Sequence, residues 1–313
     1  MPEATDAPRV SVVIPCYNHG RFLPGAVASV AAQTFAPWEI VIVDDGSTDD
    51  SPAVARALIG AYPGRAIRLA AQPNLGLSAA RNSGIAAARA EYVLTLDADD
   101  LLEPAMLEAA VAALDASPEV GFVYTDVRMF GAEERVWSGG AYSLGKLLFD
   151  CPIVPIVLFR KAAWAQVGGF GSNLWPQGYE DWDFWLALAG AGWQGLHIAR
   201  PLARYRRSNG SMLANARRHD LELRAQLVLN HPALYHRDFV AWARAARAPG
   251  VSAGGAFRSA GQWWRAFAGY VALVARHRPD LLPKTLARPL FVRLPAARQG
   301  PARSLARLLR VSR

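Results

Sequence analysis

Only two of the 313 residues are cysteine, Cys16 and Cys151, which excludes a disulfide framework and any cysteine-built metal cage. Cys16 falls in a predicted buried strand and Cys151 precedes a proline, so both read as packing residues. Long apolar runs are also missing: stretches such as 266–275 fall far short of the ~20 residues that span a bilayer. Residues 1–8 are polar and acidic and lack the basic-then-apolar order of a secretory leader. These absences predict a cytoplasmic protein, soluble or peripheral on the inner face of the membrane. Lysine is scarce, with Lys146, Lys161 and Lys284 the only three among 34 basic residues, so the choice of arginine at any one position carries little information. No glycine-rich phosphate loop with a partnering lysine follows the first predicted strand, which argues against a nucleotidyltransferase. No groove-reading fingerprint points to nucleic acid.

A hydrophobic fraction of 52% over 313 residues allows a large core, one α/β domain with a smaller appendage. The net charge of +8 conceals a division. Residues 1–215 carry 16 basic and 22 acidic side chains, while 216–313 carry 18 basic and 4 acidic. The expected layout is a tail over 1–8, a domain over 9–215 and a basic helical region over 216–313. That last region has helical apolar spacing at 217–229, 238–246 and 256–276. Its basic helices either pack on the domain or meet an anionic membrane surface.

In the domain, apolar runs at 10–15, 39–43, 67–71 and 92–96 alternate with helical patterns, which predicts a mainly parallel sheet. Further strands are expected at 120–130, 153–160, 195–199 and 202–206. Ser47 and Thr48 have the character of helix N-caps, with Asp49 and Asp50 in the first turn. Ligands bind beyond the carboxyl ends of such strands. Tyr17, Asn18, Asp44, Asp45, Asp97, Asp99 and Asp100 all fall there. Asp97 and Asp99, two apart on an extended chain, would face one side and suit a hard divalent cation, Mg²⁺ or Mn²⁺; the alternative is an acidic turn ahead of a helix. Near 175–185 three acids lie among aromatics at a helix start, either as first-turn residues or as a base of raised pKa.

Six stretches, VSVVIPCYN at 10–18, VIVDDGSTDDS at 41–51, NLGLSAARNSGI at 74–85, LTLDADD at 94–100, GGF at 168–170 and GYEDWDFWLALA at 178–189, resemble family 2 glycosyltransferases of the GT-A fold, in order over roughly residues 9–211. The resemblance implies an inverting transfer of a sugar from a nucleoside diphosphate donor to a glycan or lipid-linked acceptor in surface polysaccharide synthesis. It implies that Pro15 and Tyr17 line the nucleoside pocket, that Asp45 hydrogen-bonds the base, favouring UDP or dTDP donors, and that Asp97 reaches the ribose or a metal-bound water. Asp99 would ligate the metal and Asp181 would be the catalytic base. Arg81 would support the diphosphate or salt-bridge the neighbouring acids. Glu180, with Trp175, Tyr179 and Trp182 as flat surfaces, would bind the acceptor. Two departures stand out. Ser208 occupies the place of a histidine many relatives carry after Tyr205-Arg206, with Arg206 and Arg207 available to compensate by charge, and Ala187 replaces a common arginine. A scaffold that binds sugar nucleotides without turnover is the alternative, and the joint presence of Asp97, Asp99 and Asp181 argues against it.

Overall fold

The computed structural model describes residues 7–208 and 212–235, with 240, 243 and 244. Residues 209–211, the helix expected over 256–276, most of that expected over 238–246 and the stretch 298–313 lie outside the described residues. The chain divides into two compact units, Met1–Ser143 with Cys151–Asn215, and Leu144–Asp150 with Ala216–Arg313. No described helix is long and apolar enough to cross a membrane.

The strands Val10–Cys16, Trp38–Asp45 and Tyr92–Thr95 are buried along their whole length, as their mostly apolar runs require, since a sheet covered on both faces has no polar side to show. β1 (Val10–Cys16), α1 (Leu23–Ala31), β2 (Trp38–Asp45), α2 (Ser51–Ala61), β3 (Ile67–Gln72), α3 (Leu77–Ala87) and β4 (Tyr92–Thr95) form the alternating half. β5 (Leu101–Leu102), α4 (Met106–Asp115), β6 (Val120–Gly131) and β7 (Arg135–Trp137) follow. After α5 (Leu144–Leu147) come β8 (Val157–Arg160), α6 (Lys161–Val167), α7 (Glu180–Gly190) and β9 (Gln194–Arg207). The sheet order is β3-β2-β1-β4-β8-β6-β9-β5, with β7 on β6. β1 to β4, β6 and β9 run one way; β5, β7 and β8 run against them. The expected mainly parallel α/β sheet is present.

Alternation along β1 and β2 assigns the two faces. Val10, Val12, Ile14, Ile40 and Ile42 enter one core with Leu23, Val27 and Val30 of α1 and Leu107, Val111 and Leu114 of α4. The other face meets α3 so closely that a Cβ on Gly84 would lie 2.3 Å from Val13 Cγ1 and 2.9 Å from Val43 Cγ2. In the second unit, Arg224 of α8 (Asp220–Asn230) pairs with Asp220 at 2.8 Å and donates to the Phe149 carbonyl, while the Tyr235 hydroxyl donates to that of Leu148.

Several boundaries differ from the sequence reading. The two late strands at 195–199 and 202–206 are one strand, β9; Pro201, which lacks the N–H a regular ladder uses, sits where the pairing with β6 shifts register around Asp126. The strand expected from 153 begins only at Val157, and the turn-rich 131–145 stretch contains β7. Ser47 and Thr48 do not cap α2. Asn18 holds them instead: its N–H donates to Ser47 Oγ at 3.0 Å and its Oδ1 accepts from Thr48 N at 2.8 Å. The helix starts at Ser51, whose N–H and hydroxyl both donate to Asp49 Oδ1.

One carboxylate is buried at the amino end of the sheet. Glu39, fully enclosed, accepts from Ser11 Oγ at 2.6 Å, from the Arg89 N–H at 2.7 Å and Nε at 2.8 Å, and from Arg68 at 3.0 Å. Burial pushes its pKa up, and the Ser11, Arg89 and Arg68 contacts more than reverse this, leaving it below the ordinary glutamate range. A carboxylate depressed in the folded state stabilises the fold above its unfolded pKa of about 4.3 and loses that contribution as pH falls through the folded value. Glu39→Gln is expected to cost about 1–3 kcal/mol in urea unfolding at pH 7. The variant should also lose less stability than the wild type on acidification below pH ~4; identical acid profiles would contradict this role.

Candidate active site

Because β1, β2 and β4 are parallel neighbours, their carboxyl ends open on one side, with Cys16 level with Asp44 and Val13 level with Thr95. Pro15 is buried at the end of β1, and Tyr17 stands exposed just beyond it. Asn18 takes the left-handed conformation, φ 55°, that turns the chain toward the 47–49 loop. Asp45, buried at the end of β2, clamps the loop that leads into α3. Its Oδ1 accepts from Gln72 Nε2 at 2.7 Å and Leu75 N at 2.9 Å, and its Oδ2 from Gly76 N at 2.9 Å. One acceptor position on Oδ2 is left over.

The centre of the site is Arg81, on α3 and 1% exposed. It donates to both Asp97 oxygens, at 2.9 and 3.3 Å, and to Glu180 Oε1 at 3.2 Å. Burial works against its charge, but Asp97, Glu180 and Asp181 more than compensate and raise its pKa. Arg81 is thus ion-paired with the neighbouring acids. Glu180 and Asp181 open α7, where the helix dipole favours negative charge. Glu180 Oε2 accepts from Gly178 N at 2.7 Å, and Asp181 Oδ1 from Trp182 N at 2.8 Å. Burial and the adjoining Glu180 push Asp181 up, Arg81 and the Trp182 N–H pull it back, Asp97 adds to the rise, and the result is a pKa of about 7.

Asp99 is half-buried, and no other described side chain or N–H donates to its carboxylate, although its carbonyl accepts from Arg206 Nε at 3.1 Å. Burial and Asp97 raise its pKa, with His19 and Arg206 opposing. Buried Asp100 accepts the Arg206 N–H at 2.7 Å; burial, Asp97 and Asp99 lift it well above the usual carboxylate range. Among the described residues no group of three or more His, Cys, Asp or Glu could hold a metal. An unmatched, partly buried carboxylate fits a hard divalent cation as a single protein ligand, with a bound anion completing the shell. Arg207 turns instead to Glu133, 3.6 Å away, so of the two arginines expected to compensate for Ser208 only Arg206 is at the acids. Tyr205, which the sequence reading did not select, lies within their field: burial, then Asp100, Asp97 and Asp181, raise its hydroxyl pKa.

Of the residues expected at the acceptor, Tyr179 and Trp182 are 7% and 3% exposed, with their ring centroids 5.4 Å apart. Trp175, 77% exposed, is the open aromatic. Two further residues escaped the sequence reading. Gln177 reaches the start of α3: its Oε1 lies 3.4 Å from Leu77 N, and a Cβ on Gly76 would lie 2.2 Å from its Nε2. Asn82 accepts from Trp164 Nε1 at 3.0 Å and Phe170 N at 2.9 Å and donates to the Phe170 carbonyl at 2.9 Å. Its Oδ1 would be 2.6 Å from a Cβ on Gly169, whose φ is 84°. The Gly168-Gly169-Phe170 stretch thus has a mechanical reason: Phe170 stacks on Phe184 of α7 at 4.2 Å and lies 5.4 Å from the Arg81 guanidinium.

Residues 11–153 match the family described as "Glycosyl transferase family 2". The chain is 34% identical over 180 residues to a PGL/p-HBAD biosynthesis glycosyltransferase of Mycobacterium tuberculosis (strain ATCC 25177 / H37Ra), covering 57% of this chain and 68% of the relative. It is 31% identical over 189 residues to the chondroitin synthase of Escherichia coli, over 59% of this chain and 27% of that protein. The chain thus spans about a quarter of the length of the first curated relatives it matches. Among solved structures, S. aureus TarS 1–349 in complex with UDP-GlcNAc superposes with a TM-score of 0.64 at 17% identity, over 97% of this chain and 92% of that one.

The Asn82 contacts join parts of the chain more than 80 residues apart. Asn82→Ala orphans a donor and an acceptor at Phe170 and a donor at Trp164, and is expected to cost about 1–3 kcal/mol in denaturant unfolding. Asn82→Asp, which keeps the two accepted bonds, should lose less; equal losses in the two variants would count against the latch.

Proposed function

The chain belongs to glycosyl transferase family 2 and has the GT-A fold, and we propose that it is an inverting, metal-dependent glycosyltransferase. The donor is a nucleoside diphosphate sugar, of UDP or dTDP type. The acceptor is a hydroxyl of a glycan or lipid-linked saccharide destined for surface polysaccharide. The observation that carries this reading is the shared guanidinium of Arg81, which holds donor-side Asp97 and acceptor-side Glu180 at 2.9 and 3.2 Å. One buried cation fixes the spacing between the two halves of the reaction.

Tyr17 stacks on the base, beside Pro15, and the remaining Oδ2 position of Asp45 takes an imide N–H. Asp97, held by Arg81, would reach the ribose or, with the metal bound, a water on it. Asp99 would hold Mg²⁺ or Mn²⁺, which when bound would supply positive charge against the departing diphosphate. Asp181 removes the proton from the acceptor hydroxyl as its oxygen attacks the anomeric carbon on the face opposite the leaving group. A single base on one face is sufficient for one in-line displacement. A base of pKa about 7 is matched to proton transfer near neutral pH. Glu180, pinned by Arg81 and Gly178 N, orients the acceptor, and Trp175 gives a sugar ring a flat apolar contact. The protein acts in the cytoplasm, and the 18 basic against 4 acidic residues of 216–313 bring it to the anionic inner face of the membrane.

Asp181→Asn is expected to abolish transfer while donor affinity stays within about threefold of wild type; wild-type turnover would remove Asp181 as base. In the wild type, kcat/KM should climb with pH through about 7 and level off above it, because the base must be deprotonated. Asp99→Ala should remove the extra thermal stabilisation that Mn²⁺ gives to a nucleotide-sugar complex, measured by a melting panel of UDP-, dTDP- and GDP-sugars with and without the ion. A panel in which no nucleotide sugar shifts the melt would defeat the reading as a whole.

A further inference from the structure

The catalytic acids leave one cluster unused. Arg21, just before α1, has its guanidinium 4.5 Å from the Phe22 ring centroid, and Arg206 of β9 lies 4.6 Å from the same ring. Arg206 is also 4.3 Å from the ring of Phe130 on β6, and Arg204 is 5.0 Å from that ring. Three guanidiniums and two phenyl rings therefore interleave in one ladder that begins at the Asp99 carbonyl, where Arg206 Nε is bonded. Among the described residues none of the three arginines forms an ion pair, and the side chains of Arg21 and Arg204 donate no hydrogen bond; Arg204 Nε is buried with no partner.

This arrangement is poor packing for its own sake and good preparation for a ligand. Stacking occupies the flat faces of a guanidinium and restricts its rotamers, while the N–H groups along its edge stay available, in the fork geometry that matches tetrahedral oxyanions. Arg206 is answered by the charges of Asp99 and Asp100, whereas Arg21 and Arg204 have no ion pair among the described residues. The donor does not supply enough of one. Its diphosphate carries two negative charges that a divalent cation already offsets, and Arg81 is answered by Asp97 and Glu180. The charges of Arg21 and Arg204 are left for another group.

We propose that the Arg21–Phe22–Arg206–Phe130–Arg204 ladder is a second anion subsite, beside the donor site, that binds a phosphate group carried by the acceptor. The assignment rests on the glycosyltransferase reading for the word acceptor, and on the ladder alone for the anion. It makes the preferred acceptor a saccharide linked through phosphate to its carrier rather than a neutral glycan.

The test uses the full chain with glycerol 1-phosphate as probe and glycerol as the uncharged control, titrated calorimetrically with and without saturating nucleotide diphosphate and Mg²⁺. Wild type is expected to bind glycerol 1-phosphate in both conditions and to ignore glycerol. Arg21→Gln/Arg204→Gln should bind it at least tenfold more weakly with nucleotide affinity unchanged, and Arg21→Lys/Arg204→Lys, which keeps charge but not the fork, should fall between. Arg21→Gln alone, at an exposed position, keeps the test open should the double variant fail to fold. Undiminished probe binding in the variants overturns the proposal, as does competition between probe and nucleotide, which would make the ladder part of the donor site. Ladder-dependent binding to anionic vesicles without binding of glycerol 1-phosphate would also overturn it, in favour of a membrane contact. If no nucleotide binds wild type but ladder-dependent probe binding persists, the enzyme reading fails and the anion subsite stands.

Discussion

A guanidinium removed from water has to be answered by carboxylates, and in this protein that requirement organises the site. Taking a charge into the interior costs several kcal/mol unless opposite charge and good hydrogen bonds meet it. Arg81 is met by Asp97 from the end of β4 and Glu180 from the start of α7. The sheet and a helix almost a hundred residues later are thereby held in register by one side chain. Phe170 closes the site beneath Arg81, and Asn82, the next residue along the same helix, fixes Phe170. Removing the cation would leave two acids facing each other as well as two elements unlinked.

The same chemistry has opposite outcomes at the two ends of the sheet. Glu39 is surrounded by donors and two arginines, so its charge is retained and its pKa falls. At the carboxyl ends, Asp99, Asp100 and Asp181 stand among acids with fewer cations, and each is displaced upward. Burial is common to both places; the local supply of donors decides the sign. The amino end is built for permanence. The carboxyl end keeps protons within reach and leaves Asp99 without a fixed partner.

Much of this was legible in the sequence because it depends on local pattern. β1, β2 and β4 announce themselves as apolar runs, and each stops at polar residues that the parallel arrangement gathers on one edge. What depends on distant partners was not legible. Pro201 reads as a strand breaker until β6 is seen to shift register opposite it. Ser47 and Thr48 have the chemistry of caps, but Asn18, 29 and 30 residues earlier, competes for them. Tyr179 and Trp182 look like ligand platforms among acids, and only packing shows how far both are buried. Asn82 left one faint signal, a polar side chain in an alanine-rich helix, with nothing to say what it would hold.

The contact between Gly76 and Gln177 bears on how such a protein can diversify. A loop that follows the third strand and a loop a hundred residues later share a space that admits no β-carbon on one and needs the amide of the other. Neither loop can be lengthened or redrawn at that crossing without a matching change in its partner, so innovation there requires two simultaneous steps. The tip at Trp175 is under no such obligation, being open to solvent.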